Sequence, residues 1–279
     1  MRIPAVLASL TLALGLAGPA AAGDGYWSSI FHDVVSGPLK TSEFRWQGRA
    51  AAGRTVEIRG VNGSIQAVPS SGDMVEVVAA RRGRKNDPDS VEIKAFEHDG
   101  GVTVCALYPS TDSSRPNECL AGGKGRMSVK NNDVSVEFVV KVPAGVRLFA
   151  RTVNGAVDAA GLSGDVDAET VNGSVKIQTS GVARAQTVNG SVNASMGRAD
   201  WSSEVAFKTV NGSIRVGLPT GASTTIDAET VNGRIVSDFE VSNGSTTRRR
   251  LSGTIGSGGR AMSLETVNGS IHIGRDGAI

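Results

Sequence analysis

The sequence predicts an all-β protein, a parallel β-solenoid with coils of roughly 18–22 residues and a short N-terminal capping segment. Three observations predict it. The pair Asn-Gly recurs at Asn62, Asn154, Asn172, Asn189, Asn211, Asn232 and Asn268, nearly always inside Thr-Val-Asn-Gly, with spacings of 18, 17, 22, 21 and 36 residues from Asn154 onward. The residues around each copy alternate apolar and polar with the period of two expected of a half-buried strand. Composition agrees, because 36 Gly with only 4% aromatic residues leaves burial to small and β-branched side chains.

In chain order, the first 22 residues read as a secretory signal peptide: Arg2, an apolar run from Ile3 to Leu16, then Ala20-Ala21-Ala22 before Gly23-Asp24-Gly25. The apolar run is short for a membrane span, so the mature chain is expected to carry none. Residues 23–50 form an N-terminal segment. Within it Tyr26, Trp27, Ile30, Phe31, Val34 and Val35 lie on one helical stripe ended by Gly37-Pro38, as in a helix that caps an open solenoid end.

Residues 51–277 are expected to form one solenoid domain. Three residues after each Asn stand Ile65, Val157, Val175, Val192, Ile214, Ile235 and Ile271, all apolar and β-branched. Two further on come Ala67, Ala159, Ile177, Ala194, Val216, Ser237 and Ile273. Between them Asp158, Lys176, Asn193, Arg215 and His272 face outward, the candidate binding face. Upstream, Val56, Leu148, Val166, Ala183, Val205, Ile226 and Met262 form one inward column, and Ile58, Ala150, Ala168, Ala185, Phe207, Ala228 and Leu264 a second. Each coil then has two strands joined by a corner at Asn-Gly. A second bend falls near Ser163-Gly164, Ser180-Gly181, Gly197, Gly221 and Asn243-Gly244. The 36-residue gap is read as two coils, with Leu251-Ser252-Gly253-Thr254-Ile255 a degenerate copy.

A competing reading makes each Asn-Gly the type I′ turn of an antiparallel hairpin. The near identity of the copies favours stacking, in which one solution at the bend serves every coil. A stack would let Asn154, Asn172, Asn189, Asn211, Asn232 and Asn268 form an amide ladder, with the following Gly at positive φ. Strict alternation turns Thr152, Thr170, Thr187, Thr209, Thr230 and Thr266 inward, whereas a bend there would turn them out and the next Val in. Both arrangements fit the sequence.

The units TVNGAV, TVNGSV, TVNGSI and TVNGRI, alternating with LSGDV, resemble the bacterial putative-adhesin domain family of unknown function. The likeness extends to RTVEIRGVNGSI near residue 54 and VEFVVKVPAGVRL, and runs on to Ile273. The resemblance implies a β-solenoid on an exported or envelope protein. It brings no catalytic residues with it. Between the first copy and the close run, MVEVVAA, SVEIKAF, GVTVCAL and VSVEFVVKV read as wider early coils with insertions.

Cys105 and Cys119 are the only cysteines. In an exported chain they are expected to be bonded, closing a loop of about 15 residues worth about 3 kcal/mol in the chain-entropy view. No His has ligand spacing to either, so no metal is expected. Without the leader, 28 Lys and Arg face 27 acidic residues, a balance that indicates neither nucleic acid nor an anionic membrane as partner. The clusters Arg81, Arg82, Arg84, Lys85 and Arg248, Arg249, Arg250 read as solvated loops.

No GxSxG, HExxH, CxxC or phosphate-loop spacing is present. Asp165 and Asp167 beside Gly164 invite calcium but lack the repeating GGxGxDxUx pattern. No catalytic residue and no cofactor is expected. The function expected is a non-catalytic, exported module of the periplasm, cell surface or medium, adhesin-like or scaffolding, whose partner is an envelope protein or polysaccharide. The alternative is a carbohydrate-active β-helix enzyme, which would show carboxylates converging in a groove.

Overall fold

A computed structural model describes residues 40–123 and 125–275. The leader and the helical stripe at Tyr26–Val35 lie outside the described residues. The strands are β1 (Lys40–Arg49), β2 (Thr55–Arg59), β3 (Ile65–Pro69), β4 (Met74–Gly83), β5 (Glu92–His98), β6 (Gly101–Leu107) and β7 (Ser135–Val142). The close run supplies β8 (Arg147–Arg151), β9 (Val157–Leu162), β10 (Val166–Glu169), β11 (Val175–Thr179), β12 (Ala183–Gln186), β13 (Val192–Met196), β14 (Val205–Lys208) and β15 (Ile214–Leu218). The last are β16 (Thr224–Asn232), β17 (Ile235–Ser237), β18 (Val241–Thr246), β19 (Arg250–Ile255), β20 (Ala261–Asn268) and β21 (Ile271–Arg275).

They form two facing sheets, ordered β1-β4-β7-β3-β9-β11-β13-β15-β21-β17 and β18-β19-β16-β20-β14-β12-β10-β8-β2-β6-β5. Each coil gives its strand upstream of Asn to the second sheet and its strand downstream to the first. Equivalent residues pair in parallel: Val175 lies against Val157 and Val192, and Ala168 against Ala150 and Ala185. The protein is an all-β parallel solenoid, and parallel bridges between successive Asn residues rule out a hairpin at each Asn-Gly.

The four inward columns form the core. Val56, Ile58, Ile65, Val166, Ala183, Val205, Phe207 and Ile214 are fully buried, as are nearly all their equivalents. Fully burying a valine or isoleucine is worth about 1.5–3 kcal/mol, and the coils repeat that gain along the stack, with Phe207 and Phe138 buried among them. The terminal coil departs from this, since Ile235 and Ser237 are only half buried.

Coil order departs from chain order at both ends. β20–β21, carrying Asn268, inserts between the Asn211 coil and the Asn232 coil, so the outermost coil is β16–β17. Leu251–Ile255 is therefore not a degenerate coil. It lies in β19, antiparallel to both β16 and β18, with Leu251 and Ile255 packed inward as a lid on the stack. Asn243-Gly244 is likewise not a coil bend, because it forms an irregularity within β18 where the pairing with β19 shifts register. At the other end β6 and β7 make one coil without Asn-Gly, outside the Asn62 coil. Of the four early strands only these two are coil strands. β4 and β5 pair antiparallel to them as end covers, and β1 covers β4. The sheet thus begins at Lys40, upstream of residue 51. Three of the four sheet ends finish in antiparallel strands, and the fourth in the three-residue β17, arrangements that discourage edge-to-edge growth.

Candidate binding faces and grooves

At the repeated corner the Asn side chains form one continuous ladder. Asn154 donates its amide to the Asn62 carbonyl oxygen, Asn172 to Asn154, Asn189 to Asn172, Asn211 to Asn189, Asn268 to Asn211 and Asn232 to Asn268, at 2.7–2.8 Å. The Thr residues point inward and are buried. Thr170, Thr187, Thr209, Thr230 and Thr266 donate their hydroxyls to Gly155, Gly173, Gly190, Gly269 and Gly212 at 2.8–2.9 Å. The following Val residues turn out: Val153, Val171, Val188, Val210, Val231 and Val267 are 37–50% exposed. The corner is thus a stripe of valines beside a ladder of amides, repeating at the strand spacing of about 4.8 Å.

The glycine has a different task from the one expected. Of the seven glycines at the repeated corner only Gly63 has positive φ, at 123°. What the others need is space, since a Cβ on Gly173, Gly190, Gly212 or Gly269 would lie 2.0 Å from the neighbouring coil's glycine oxygen. Close backbone approach, rather than left-handed geometry, selects glycine here.

On the outer face of the first sheet, pairing sets Gln66, Asp158, Lys176, Asn193, Arg215, His272 and Val236 side by side. The candidate face is therefore one unbroken file. Lys176 and Arg215 are exposed, Asp158 Oδ1 is buried without a hydrogen-bond partner, and His272 Nε2 lies 3.1 Å from Asp238. The outer face of the second sheet neutralises itself. Arg151 pairs with Glu169, Lys208 with Glu265 at 3.0 Å, and Arg250 with Asp227 and Glu229 at 3.2 and 3.3 Å.

The first basic cluster is not wholly a solvated loop. Arg81 pairs with Asp89 at 2.9 Å and donates to Val91 O, while Arg82 is buried and pairs with Glu137 at 3.0 Å. Strand β4 carries both into the end cover, where carboxylates answer them. Arg248, Arg249 and Arg250 lie exposed at the turn into β19.

A cavity of about 370 Å³ joins Asp165, Asp167 and Asp200 with Arg147, Arg184 and Arg198. Its carboxylates are engaged. Asp165 accepts the Val182 N–H at 3.0 Å, Asp167 lies 3.4 and 3.8 Å from Arg184 and Arg147, and Asp200 lies 2.8 Å from Arg198. Burial raises the Asp167 carboxyl above its ordinary value despite the two guanidiniums. The hydrogen bond from Arg198 lowers that of Asp200. Among the described residues no three His, Cys, Asp or Glu are placed to share a metal ion.

Sequence reading missed one further groove. Residues 108–134 connect β6 to β7 where β2 and β3, or β8 and β9, are joined by five residues, and fold back beside the first Asn-Gly corners. Cys105 and Cys119 are bonded, with Cα atoms 6.1 Å apart. Tyr108 donates its hydroxyl to Val134 O at 2.9 Å, and burial pushes its pKa up to about 12, so it remains a donor. Asn117 bridges Tyr108 O and Ser128 O, each at 2.9 Å. Between this loop and the corners lies a groove of about 690 Å³. The signal in the sequence was the length of the insertion together with a cysteine at its centre.

Residues 150–274 match the Toastrack DUF4097 family. The match runs from β8 to β21 and so takes in the coils of Asn154 to Asn268, while the Asn62 coil and the loop-bearing coil precede it. Among solved structures, a putative cell adhesion protein from Clostridium sporogenes is 12% identical, with 84% of this chain and 100% of that chain covered at a TM-score of 0.46. A putative adhesin from Bacteroides fragilis is 11% identical, with 83% and 97% covered at a TM-score of 0.35. No curated protein matches the chain significantly.

Proposed function

We propose that the protein is an exported, non-catalytic module of the bacterial envelope or cell surface, adhesin-like or scaffolding, that binds an envelope protein or polysaccharide through the regular outer surface of its solenoid. One observation carries the reading: backbone pairing holds Asp158, Lys176, Asn193, Arg215 and His272 in a single file across successive parallel strands. Such a surface is preorganised, so a partner loses little affinity to ordering it. The leader-like first 22 residues and the match to the Toastrack family support export and an envelope role.

The test has two parts. Expression with residues 1–22 should deliver a chain beginning at Gly23 to the periplasm or beyond, read by intact mass of cell fractions. The mature protein should capture a defined partner from envelope extracts, and a Lys176→Asp, Arg215→Asp variant of unchanged stability should lose it. A chain that stays cytoplasmic with its leader intact overturns the export reading. Capture indifferent to the double variant overturns the assigned face.

A further inference from the structure

The groove beneath the disulfide-tied loop is a built cleft with two chemically distinct surfaces. Its floor is the start of the valine stripe, Val61, Val153 and Val171, joined by Met127 and Val129 from the loop. Val153, Val171 and Met127 are each more than a third exposed. Its rim carries Arg59, Arg126, Lys130 and Arg151 against Glu118 and Glu169, an excess of two positive charges in a protein that is otherwise nearly balanced.

Two of the cations are already engaged, Arg59 with Glu57 at 3.6 Å and Arg151 with Glu169. Arg126 and Lys130 stand exposed on the loop wall. The amide ladder also begins in this groove. Asn62 accepts from Asn154, and its own Nδ2 donates to no described residue, so the lowest rung presents amide hydrogens to whatever enters.

We propose that this groove binds an extended acidic peptide segment in which carboxylate and aliphatic side chains alternate, deepening the binding-module reading above on which it rests. In an extended strand alternate side chains point to opposite sides, about 6.8 Å apart along one side. One side can therefore lie on the valine floor while the other reaches Arg126 and Lys130, and the peptide carbonyls meet the Asn62 amide. An acidic glycan would satisfy the cations equally but leave the valines and Met127 facing hydroxyls. The floor therefore favours the peptide. The loop wall is held by the Cys105–Cys119 bond, Tyr108 and Asn117, so the cleft depends on the disulfide.

The test is fluorescence anisotropy with the mature protein and three labelled octapeptides, alternating Glu-Val, Glu-Ser and Lys-Val, with polygalacturonate as competitor. The Glu-Val peptide should bind about tenfold or more tightly than either other peptide, and weaken steeply with salt. Arg126→Glu with Lys130→Glu should remove that advantage at an unchanged urea midpoint, because both side chains are exposed. Reduction of the disulfide should weaken binding as well, and Lys176→Asp on the other sheet should not.

Equal binding of Glu-Val and Glu-Ser, or complete competition by polygalacturonate, would overturn the peptide in favour of an acidic glycan. Binding indifferent to the charge-reversed loop would remove the groove. If envelope capture then persists and still depends on Lys176 and Arg215, the module reading stands without it.

Discussion

Replacing Gly190 by Ala tests whether the coils are set by backbone contact at the corner. A Cβ there would lie 2.0 Å from the Gly173 oxygen, 2.5 Å from the Gly173 carbonyl carbon and 2.9 Å from the Ser174 nitrogen. Real Cβ atoms essentially never come within 3.0 Å, so the two coils must part by about 1 Å to pack again. Three of the hydrogen bonds that cross that gap are Gly173 N–H to Asn189 O at 3.0 Å, Asn189 N–H to Val171 O at 2.8 Å, and the Asn189 amide to Asn172 at 2.8 Å. Lengthened by about 1 Å, each passes the ~3.2 Å limit of a good N–H···O bond. At about 1 kcal/mol per bond the expected cost is about 3 kcal/mol, the upper part of the range for overpacked sites. Gly221→Ala is the control. Nothing lies within 4 Å of its Cβ and its φ is not left-handed, so the change should be neutral or stabilise by up to about 1 kcal/mol. Urea unfolding of both variants with the disulfide intact gives the comparison. Agreement between the two within about 0.5 kcal/mol would refute close packing as the reason for glycine.

Val175→Asp or Ile214→Asp would place an unpaired carboxylate between buried coils and should cost several kcal/mol, whereas Lys176→Asp and Arg215→Asp on the exposed side should stay within about 0.5 kcal/mol; equal effects in urea unfolding would dissolve the assignment of faces. Asp133 accepts the backbone N–H groups of Asn86, Lys85 and Arg84, and these bonds lower its carboxyl below the ordinary 3.8. Its contribution is therefore present above that value and lost as pH falls through the depressed one, so Asp133→Asn should flatten the acid limb of stability. Asp167 has the opposite sign. Burial raises it, the native state keeps its proton longer, and stability falls as pH rises from 3.8 toward the raised value. Asp167→Asn should remove that fall, and an unchanged profile in urea midpoints across pH would contradict the burial argument.

How far the sequence could be read follows from what repeats. The inward columns were legible because burial on a parallel sheet demands apolar residues at fixed offsets, and Val166, Val175, Val192 and Ile214 meet that demand. The Asn ladder was legible from the same register. The orientation of Thr and Val was not, because the backbone at the corner decides it. A threonine can be buried only if an acceptor is at hand, and the acceptor is the glycine carbonyl of the adjacent coil. Valine, with no group to satisfy, is left outside. The groove was illegible for a different reason: its wall is an insertion whose course is fixed by one disulfide and the side-chain bonds of Tyr108 and Asn117, none of which has a period.

Coil order was the other feature the repeats concealed, and it has a physical cause. Because every Asn-Gly corner offers the same ladder, carbonyl and glycine to its neighbour, the Asn211 corner accepts the Asn268 corner as readily as that of Asn232. The choice falls to residues that do not repeat. Ile271 and Ile273 are both fully buried, whereas the Asn232 coil offers a half-buried Ile235 and Ser237 in the same columns, with Val236 exposed. The coil with the weaker inward face loses least by having a neighbour on one side only, so it goes to the end. Its upstream strand β16 is long enough to pair with β19 from Thr224 to Glu229, which lets the β18–β19 hairpin close that sheet with Leu251 and Ile255 facing in. Interchangeable copies fix how neighbours meet and leave their sequence in space to the exceptions among them.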